Sequence, residues 1–498
     1  MKARIAVIGA GCGGLTVATL LQAEGHEVCL IEGQGFVGGK CRRIEKNGLL
    51  IDTGPALVTF PQLWSQVDRK IRLRGGSGLR CLPNFLPATG IGEYVHDSYR
   101  LRLPEDGSES WSGAWQAYVN RYKSMGPLLG KLLSLDPKSM AAAPAALKMF
   151  GYLRGHMSMS SWLESEPDMI YPIKDIIEIQ ALNSGGSPEQ VPALYGALPA
   201  IMSSGGMVAP EGGVYQLVDY LQDNFLALGG EIKLSTQVLD VSGHDVIYTA
   251  GRERFDIIIS NADPDVTAKL LGDRPVSTDH QVGLSCSVLG LYDRCQAALP
   301  ADVLHRVIMP EDNRQFFAEL AAGQLPKTTM AFIHSFPKGD PRSPDPKDSG
   351  VAILLTLPPG KWQQSELADY SRVQLSRVSR LTGVDWRKIL SPDPLTLDPS
   401  YYSSFGHPSG SLYGALFSPL RSGPMHPIRY QNRSQPWIFQ VGAGVHPGGG
   451  IPGVVGGAMT VANKVKSYWE KTQPSSLMSR FTGMRGKLKH SVTSKEGS

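Results

Sequence analysis

Arg4-Ile5-Ala6-Val7-Ile8-Gly9-Ala10-Gly11-Cys12-Gly13-Gly14 decides the fold of this chain. Residues 5–8 read as a buried strand and residues 15–23 as the helix that follows it. Between them, Gly9 allows a tight turn, Gly11 lets backbone approach a pyrophosphate, and Gly14 lets helix pack on strand. The helix N-terminus then offers unpaired N–H groups and a positive dipole end to phosphate. Residues 28–31 form a second apolar run, ending in Glu32. Strand, helix, second strand and terminal acid all fall at the spacing of an adenine-dinucleotide site.

Glu32 is placed to accept hydrogen bonds from ribose hydroxyls, which favours FAD or NAD over NADP. The next segment favours FAD. Gly38-Gly39-Lys40 follows closely, then Ile51-Asp52-Thr53-Gly54-Pro55. By themselves these are a loop and a turn. After a dinucleotide turn, paired glycines let a second loop close over the ligand, and Lys40 adds a cation near its phosphates. The other GxGxxG string, Gly448 to Gly453, lies in the C-terminal glycine-rich block, and no strand–GxGxxG–helix unit with its own terminal acid marks a separate nicotinamide domain.

The 498 residues exceed what one hydrophobic core usually supports, so two domains are expected. Hydrophobic residues at 42% and 56 glycines fit a turn-rich α/β protein. The six cysteines (Cys12, Cys29, Cys41, Cys81, Cys286, Cys295) show no metal-ligand spacing, and no metal is expected. Unpaired cysteines, a first apolar run too short for a secretory leader and the lack of a stretch of about twenty apolar residues predict a cytoplasmic protein without a transmembrane helix.

The net charge of +4 conceals an asymmetry. From Lys471 onward, six basic residues (Lys471, Arg480, Arg485, Lys487, Lys489, Lys495) face one acid, Glu496. The remainder is close to neutral, which argues against nucleic acid as a partner. Leu477, Phe481, Met484 and Leu488 recur at helical spacing in that tail. The pattern suits either an amphipathic helix on an anionic membrane surface or a solvated, disordered tail.

The cofactor signal recurs in three blocks. The second opens at Pro210-Glu211-Gly212-Gly213, continues into a helix over 215–228, and is followed by strands at 231–234, 237–239 and 255–259. The third is a strand over 437–441 entering Gly442-Ala443-Gly444-Val445-His446-Pro447-Gly448-Gly449-Gly450-Ile451-Pro452-Gly453-Val454 and a helix over 455–466. The expected fold is therefore α/β: a discontinuous Rossmann-like FAD-binding domain (1–79, 205–283, 431–470) with an inserted mixed α+β substrate domain (80–204, 284–430). The basic tail is 471–498. Helices are predicted at 115–134, 141–153 and 365–381 and a strand at 351–357. Residues 334–349, with four prolines, read as an exposed loop or a flexible excursion.

The N-terminal series, the middle segment Gln180-Ala181-Leu182-Asn183-Ser184-Gly185-Gly186-Ser187-Pro188 and the C-terminal glycine-rich block resemble bacterial phytoene-desaturase-type carotenoid enzymes, within the amine-oxidase-like flavoproteins. The resemblance spans the chain to about Tyr468. Ser409-Gly410-Ser411-Leu412-Tyr413-Gly414 is similar to the hydroxycarotenoid 3,4-desaturase subgroup. There are departures. Lys40 stands where many relatives carry arginine, and Gly442-Ala443 stands where broader flavoproteins place Gly-Asp. His426-Pro427-Ile428-Arg429-Tyr430 replaces an aromatic-Arg-Pro run.

The resemblance implies FAD held across all three blocks. Gly9, Gly11, Cys12, Gly13 and Gly14 would hold the pyrophosphate, Glu32 the ribose and Val238 the adenine. Gly39, Lys40, Gly54 and Pro55 would line the phosphate and flavin side. Gly444, Ile451, Pro452, Gly453 and Val454 would surround the flavin ring, with a helix starting near Ile451 aiming N–H groups, Val454's included, at its pyrimidine end. The implied reaction removes hydride and a proton from a polyene, adding a conjugated double bond, with quinone or oxygen as electron acceptor. No catalytic residue is assigned; His446 is the titratable residue within the flavin-side motif, and it either takes part in the chemistry or only shapes the turn before Pro447. A hydrocarbon substrate would be gripped by an apolar tunnel and delivered from a membrane surface. Polyene isomerisation, carotenoid oxidation and non-catalytic prenyl-lipid binding on the same scaffold are the competing expectations.

Overall fold

In a computed structural model the described residues are 1–73, 78–87, 92–103, 111–166, 169–204, 207–275, 281–295, 305–336, 340–343, 345 and 349–473. The C-terminal stripe from Leu477 to Leu488 lies outside them. Among the described residues no helix is long and apolar enough to cross a membrane.

Short β-branched runs from three distant parts of the chain assemble one parallel sheet. Its order is Glu231–Lys233, Glu27–Ile31, Arg4–Ile8, Ile257–Ser260, Ile438–Gln440. Arg4–Ile8 sits in the middle, buried on both faces, which is why it reads as an unbroken apolar run. The Cys12–Ala23 helix covers one face between the helices Tyr215–Ala227 and Ile451–Thr472. Parallel pairing sends every carboxyl end to the same edge, where ligands bind in such sheets. Gly9, Glu32, Asn261 and Val441 follow directly from four of those ends.

The second sheet has seven strands in the order Leu395–Leu397, Ser287–Cys295, Ser349–Leu357, Ala331–Ser335, His305–Ile308, Gly92–Val95, Arg100–Leu103. Its pairs are antiparallel except His305–Ile308 with Gly92–Val95. Alternation gives it two faces. Leu289, Leu291, Ile333, Ile353 and Leu355 pack under the helix Gln364–Thr382, against Leu367, Tyr370 and Val378. The opposite face lines a cavity. A layer of short helices between Ser112 and Ser203 roofs it.

Three expectations need correction. The helix predicted over 115–134 is two, Ser112–Tyr122 and Met125–Leu133. Pro127 clashes with a helical carbonyl four residues earlier, so the first helix ends before Lys123. The apolar pattern put the last helix at 455–466, but it begins at Ile451, as the family resemblance implies, with Pro452 in its first turn, where a missing N–H costs nothing. The segment 334–349 is no exposed loop in its described part. His334 and Ser335 belong to a strand, and Asp340 and Arg342 are buried as a two-pronged ion pair at 2.8 and 2.6 Å. Pairing made that burial affordable.

Candidate functional site

At the edge of the parallel sheet, Gly9 takes a φ of +94° and donates its N–H to the Ile31 carbonyl at 2.8 Å. Gly11 caps the Cys12–Ala23 helix. A Cβ on Gly14 would lie 2.0 Å from the Gly9 carbonyl oxygen, so only glycine lets the helix start this close to the strand. The Gly38-Gly39 loop closes over the turn: Gly38 N–H donates to the Ala10 carbonyl at 2.8 Å, and Gly39, at φ +59°, sits against Gly11. The Cys12 thiol hydrogen-bonds that of Cys41, which holds it below the usual thiol range, while Cys41 is pushed up.

Glu32 accepts the Ala10 N–H at 2.6 Å and the Gln34 N–H at 2.8 Å. Both oxygens are therefore oriented by backbone, and each keeps acceptor capacity for another donor. Val238 is buried at the start of a strand, with Gln237 beside it on the cavity wall. Gly54 packs on Cys41, and Pro55 lines the same wall. The Lys40 ammonium donates to the Ser411 carbonyl at 3.2 Å and to that of Leu412. Burial, partly opposed by Asp263, lowers its pKa to about 8. Asp52 locks the first block to the second. It pairs with Arg43 at 2.7 Å and accepts the Tyr215 N–H at 3.1 Å, while Arg43 donates to the Gly212 carbonyl at 2.6 Å.

The third block enters from Ile438–Gln440. Gly442 (φ +119°) packs on Asn261 and Gly444 on Pro264. A Cβ on Gly449 would meet Tyr413 Cδ1 at 2.1 Å, so the loop backbone packs closely against that side chain. His446 Nδ1 hydrogen-bonds the Tyr430 hydroxyl at 2.9 Å. Burial lowers the pKa of His446 to about 3 and that of His426, on the same wall, to about 4. The N–H of Val454 does not point at a ligand as expected. It closes the first helical turn by donating to the Gly450 carbonyl at 3.0 Å, and the Val454 side chain packs toward Gly13. The N–H groups of Ile451 and Gly453 have no backbone acceptor among the described residues.

All sixteen predicted cofactor positions except Gly14 line one cavity of about 1350 Å³, as does His446. Gly14 instead sets how closely the helix meets the strand. Cβ atoms at Gly11 or Gly13 would strike the Asn261 side chain at 2.9 and 2.6 Å, so glycine is required there, and the cavity these residues line beside the helix start has the backbone N–H donors and volume for a dinucleotide. Sequence reading missed Asn261, which touches Gly9, Gly11, Gly13 and Gly442. Its position after a central parallel strand was the available signal. It also missed Tyr413 and Tyr430, which nothing local marks.

Residues 12–466 match the model of flavin-containing amine oxidoreductases. The chain belongs to that family. It is a flavin-dependent oxidoreductase by that membership. A phytoene desaturase of Fusarium fujikuroi is 24% identical over 518 residues, covering 93% of this chain and 89% of that protein. A 4,4'-diapolycopene oxygenase of Methylomonas sp is 26% identical over 500 residues, covering 93% and 98%. Among solved structures, a CLA-producing fatty acid isomerase from P. acnes superposes with a TM-score of 0.61 at 16% identity, covering 93% and 98%; this likeness concerns the fold.

Proposed function

We propose that this family member is an FAD-dependent carotenoid desaturase acting on an acyclic polyene. The observation that carries the reading is continuity: the dinucleotide cradle and an apolar chamber lined by Leu129, Met149, Leu153, Met202 and Phe332 are one cavity. Removing a polyene from water yields about 25 cal/mol per Å² of apolar surface, so such a chamber binds its substrate without polar clamps. Its curated relatives act on polyenes by name.

In this reading Gly9, Gly11, Cys12, Gly13 and Gly14 frame the FAD pyrophosphate, and Glu32 holds the ribose. Val238 faces the adenine. Gly39, Lys40, Gly54 and Pro55 line the phosphate and flavin side. Gly444, Ile451, Pro452 and Gly453 adjoin the flavin ring, with Val454 packing behind them. Bound FAD supplies a two-electron acceptor for a C–H bond beside the polyene. His446, hydrogen-bonded at Nδ1 to the Tyr430 hydroxyl and kept neutral by burial, which also makes it a weak base, either takes the proton or only shapes the turn before Pro447. His446→Gln with full turnover removes it from the chemistry. Reoxidation is assigned to quinone or oxygen, and substrate delivery to a membrane surface reached by the basic tail. Equal sedimentation with anionic liposomes after removal of residues 472–498 refutes that last role.

Mass-resolved pigment analysis in cells supplying phytoene, neurosporene or 1-hydroxyneurosporene tests the function. Loss of two hydrogens, or a multiple, is expected from one of them. A shifted retention time at unchanged mass indicates isomerisation, a gain of oxygen indicates oxidation, and either outcome rejects desaturation.

A further inference from the structure

The cavity opens to solvent between two segments. Phe150 and Met157 on one side and Pro424 on the other line it and are also exposed. Along the helix Ala143–Tyr152 and its caps, Ala142, Ala146, Met149 and Leu153 line the cavity at helical i, i+4, i+7, i+11 spacing. Leu147 and Phe150 on the same helix are exposed. A helix covering a core is ordinarily apolar on one side and polar on the other, whereas this one carries large apolar side chains on both.

Exposed apolar side chains gather at this opening. Met140 is 91% exposed and Leu147 71% on one rim, and Leu420 is 64% exposed and Met425 60% on the other. With Phe150 and Met157 they make up six of the sixteen large apolar side chains exposed among the described residues. Exposed apolar residues scattered singly are ordinary, but a group rimming a cavity marks a contact surface.

Charge selects the partner. Between Ser124 and Leu163 the chain has one acid, Asp136, and between Pro399 and Trp469 it has none. Asp136 is paired with Lys464 at 2.5 Å. Lys131, Lys138, Lys148, Arg429 and Arg433 are exposed, and none makes an ion pair among the described residues. Lys138 meets Arg429 and Arg433 across the opening: desolvation, and then those two charges, lower its pKa. Unpaired cations around apolar side chains match an anionic lipid surface, which takes the apolar groups into its interior and the cations at its headgroups. A second copy of this chain brings the same positive rim and is repelled. The tail from Lys471 onward, six bases to one acid, has that sign too and is no better a cover.

We infer that this rim docks on an anionic membrane, with Met140, Leu147, Leu420 and Met425 among the acyl chains and Lys138, Lys148, Arg429 and Arg433 at the headgroup phosphates. The cavity then opens into the bilayer, so an apolar ligand passes between the two without crossing water. The inference rests on the polyene reading for its purpose, and it adds a contact on the folded body to the one proposed for the tail.

The test is cosedimentation of the full flavin-loaded chain with vesicles of phosphatidylcholine alone or of phosphatidylcholine and phosphatidylglycerol in equal parts. The wild type is expected to bind the mixed vesicles at least about tenfold more tightly than the neutral ones. Met140→Ser/Leu147→Ser/Met425→Ser removes apolar side chains, none of which lines the cavity. Lys138→Gln/Lys148→Gln/Arg429→Gln removes three charges. Each variant is expected to bind the mixed vesicles about 100-fold more weakly. Leu73→Ser/Leu226→Ser/Val373→Ser, which removes exposed apolar side chains from other segments, is expected to bind like the wild type. Binding by either rim variant within about threefold of wild type overturns the inference. So does a control variant that falls equally, or a wild type with no preference for the anionic vesicles. Light scattering checks the other cover: a wild-type dimer that the rim serine variant dissociates, without vesicle binding, gives the face to a second copy and also overturns the inference. If the wild type desaturates no polyene in detergent micelles, the desaturase reading falls, while sedimentation still decides the docking.

Discussion

Gly14→Ala probes the cradle at its tightest point. The added Cβ would stand 2.0 Å from the Gly9 carbonyl oxygen and 3.2 Å from Asn261 Cβ. The first contact is with backbone, so no rotamer change relieves it. Helix and turn must separate by roughly 1 Å or more, and overpacking of this kind costs about 3 kcal/mol at its upper end. That separation moves the helix N-terminus away from Gly9 and Gly11, which a dinucleotide held as proposed would need together. If the cost falls on the ligand-ready arrangement, FAD affinity drops about 100-fold. The assay is titration of FAD into apoprotein followed by flavin fluorescence. Gly113→Ala serves as control, since a Cβ there meets nothing within 4 Å. Stoichiometric flavin in the Gly14→Ala protein, with a Kd within about threefold of wild type, would falsify the reasoning.

Two further predictions concern stability. Glu166 is buried and accepts Tyr122 Oη at 2.6 Å, Arg154 Nη2 at 2.6 Å and Arg121 Nη1 at 2.7 Å. Glu166→Gln turns one acceptor into a donor, and with both arginines partly exposed the expected cost is about 2 kcal/mol. A lower urea midpoint at unchanged flavin content is expected, and an unshifted midpoint contradicts it. His446 and His426 have folded pKa values lowered by burial to about 3 and about 4, against an ordinary value of 6.5. The unfolded chain thus binds protons first as pH falls, so this contribution to stability is complete above pH 6.5 and is lost on acidification toward pH 4 and below. His446→Phe is expected to make the fall in Tm between pH 6.5 and 4 shallower by calorimetry, and parallel slopes for both proteins refute the assignment.

The cradle was legible in the sequence because its requirements are local. The positive φ of Gly9, the close approach at Gly14 and the acid ending the second strand each follow from residues fewer than about thirty apart, and spacing alone exposes them. The third block was legible for the same reason, although which N–H groups stay open depended on where its helix began. Ile451 opens that helix, four residues earlier than the apolar pattern suggested, and so Val454's amide is already spent.

Tertiary structure decided what lies opposite what. Asn261 belongs to the cradle because parallel pairing carries a strand some 250 residues away to the same edge. Arg342 is buried, despite its proline-rich surroundings, because Asp340 neutralises it beneath the Asp52 network. His305 and His334 show nothing in sequence beyond their place in two strands. A period of two tells which face a side chain takes, but cross-strand neighbours depend on register, which is set by the packing of the whole sheet. Local sequence thus determined the dinucleotide turn, and only the assembled sheet brought two histidines within 3.2 Å on the floor of the cavity.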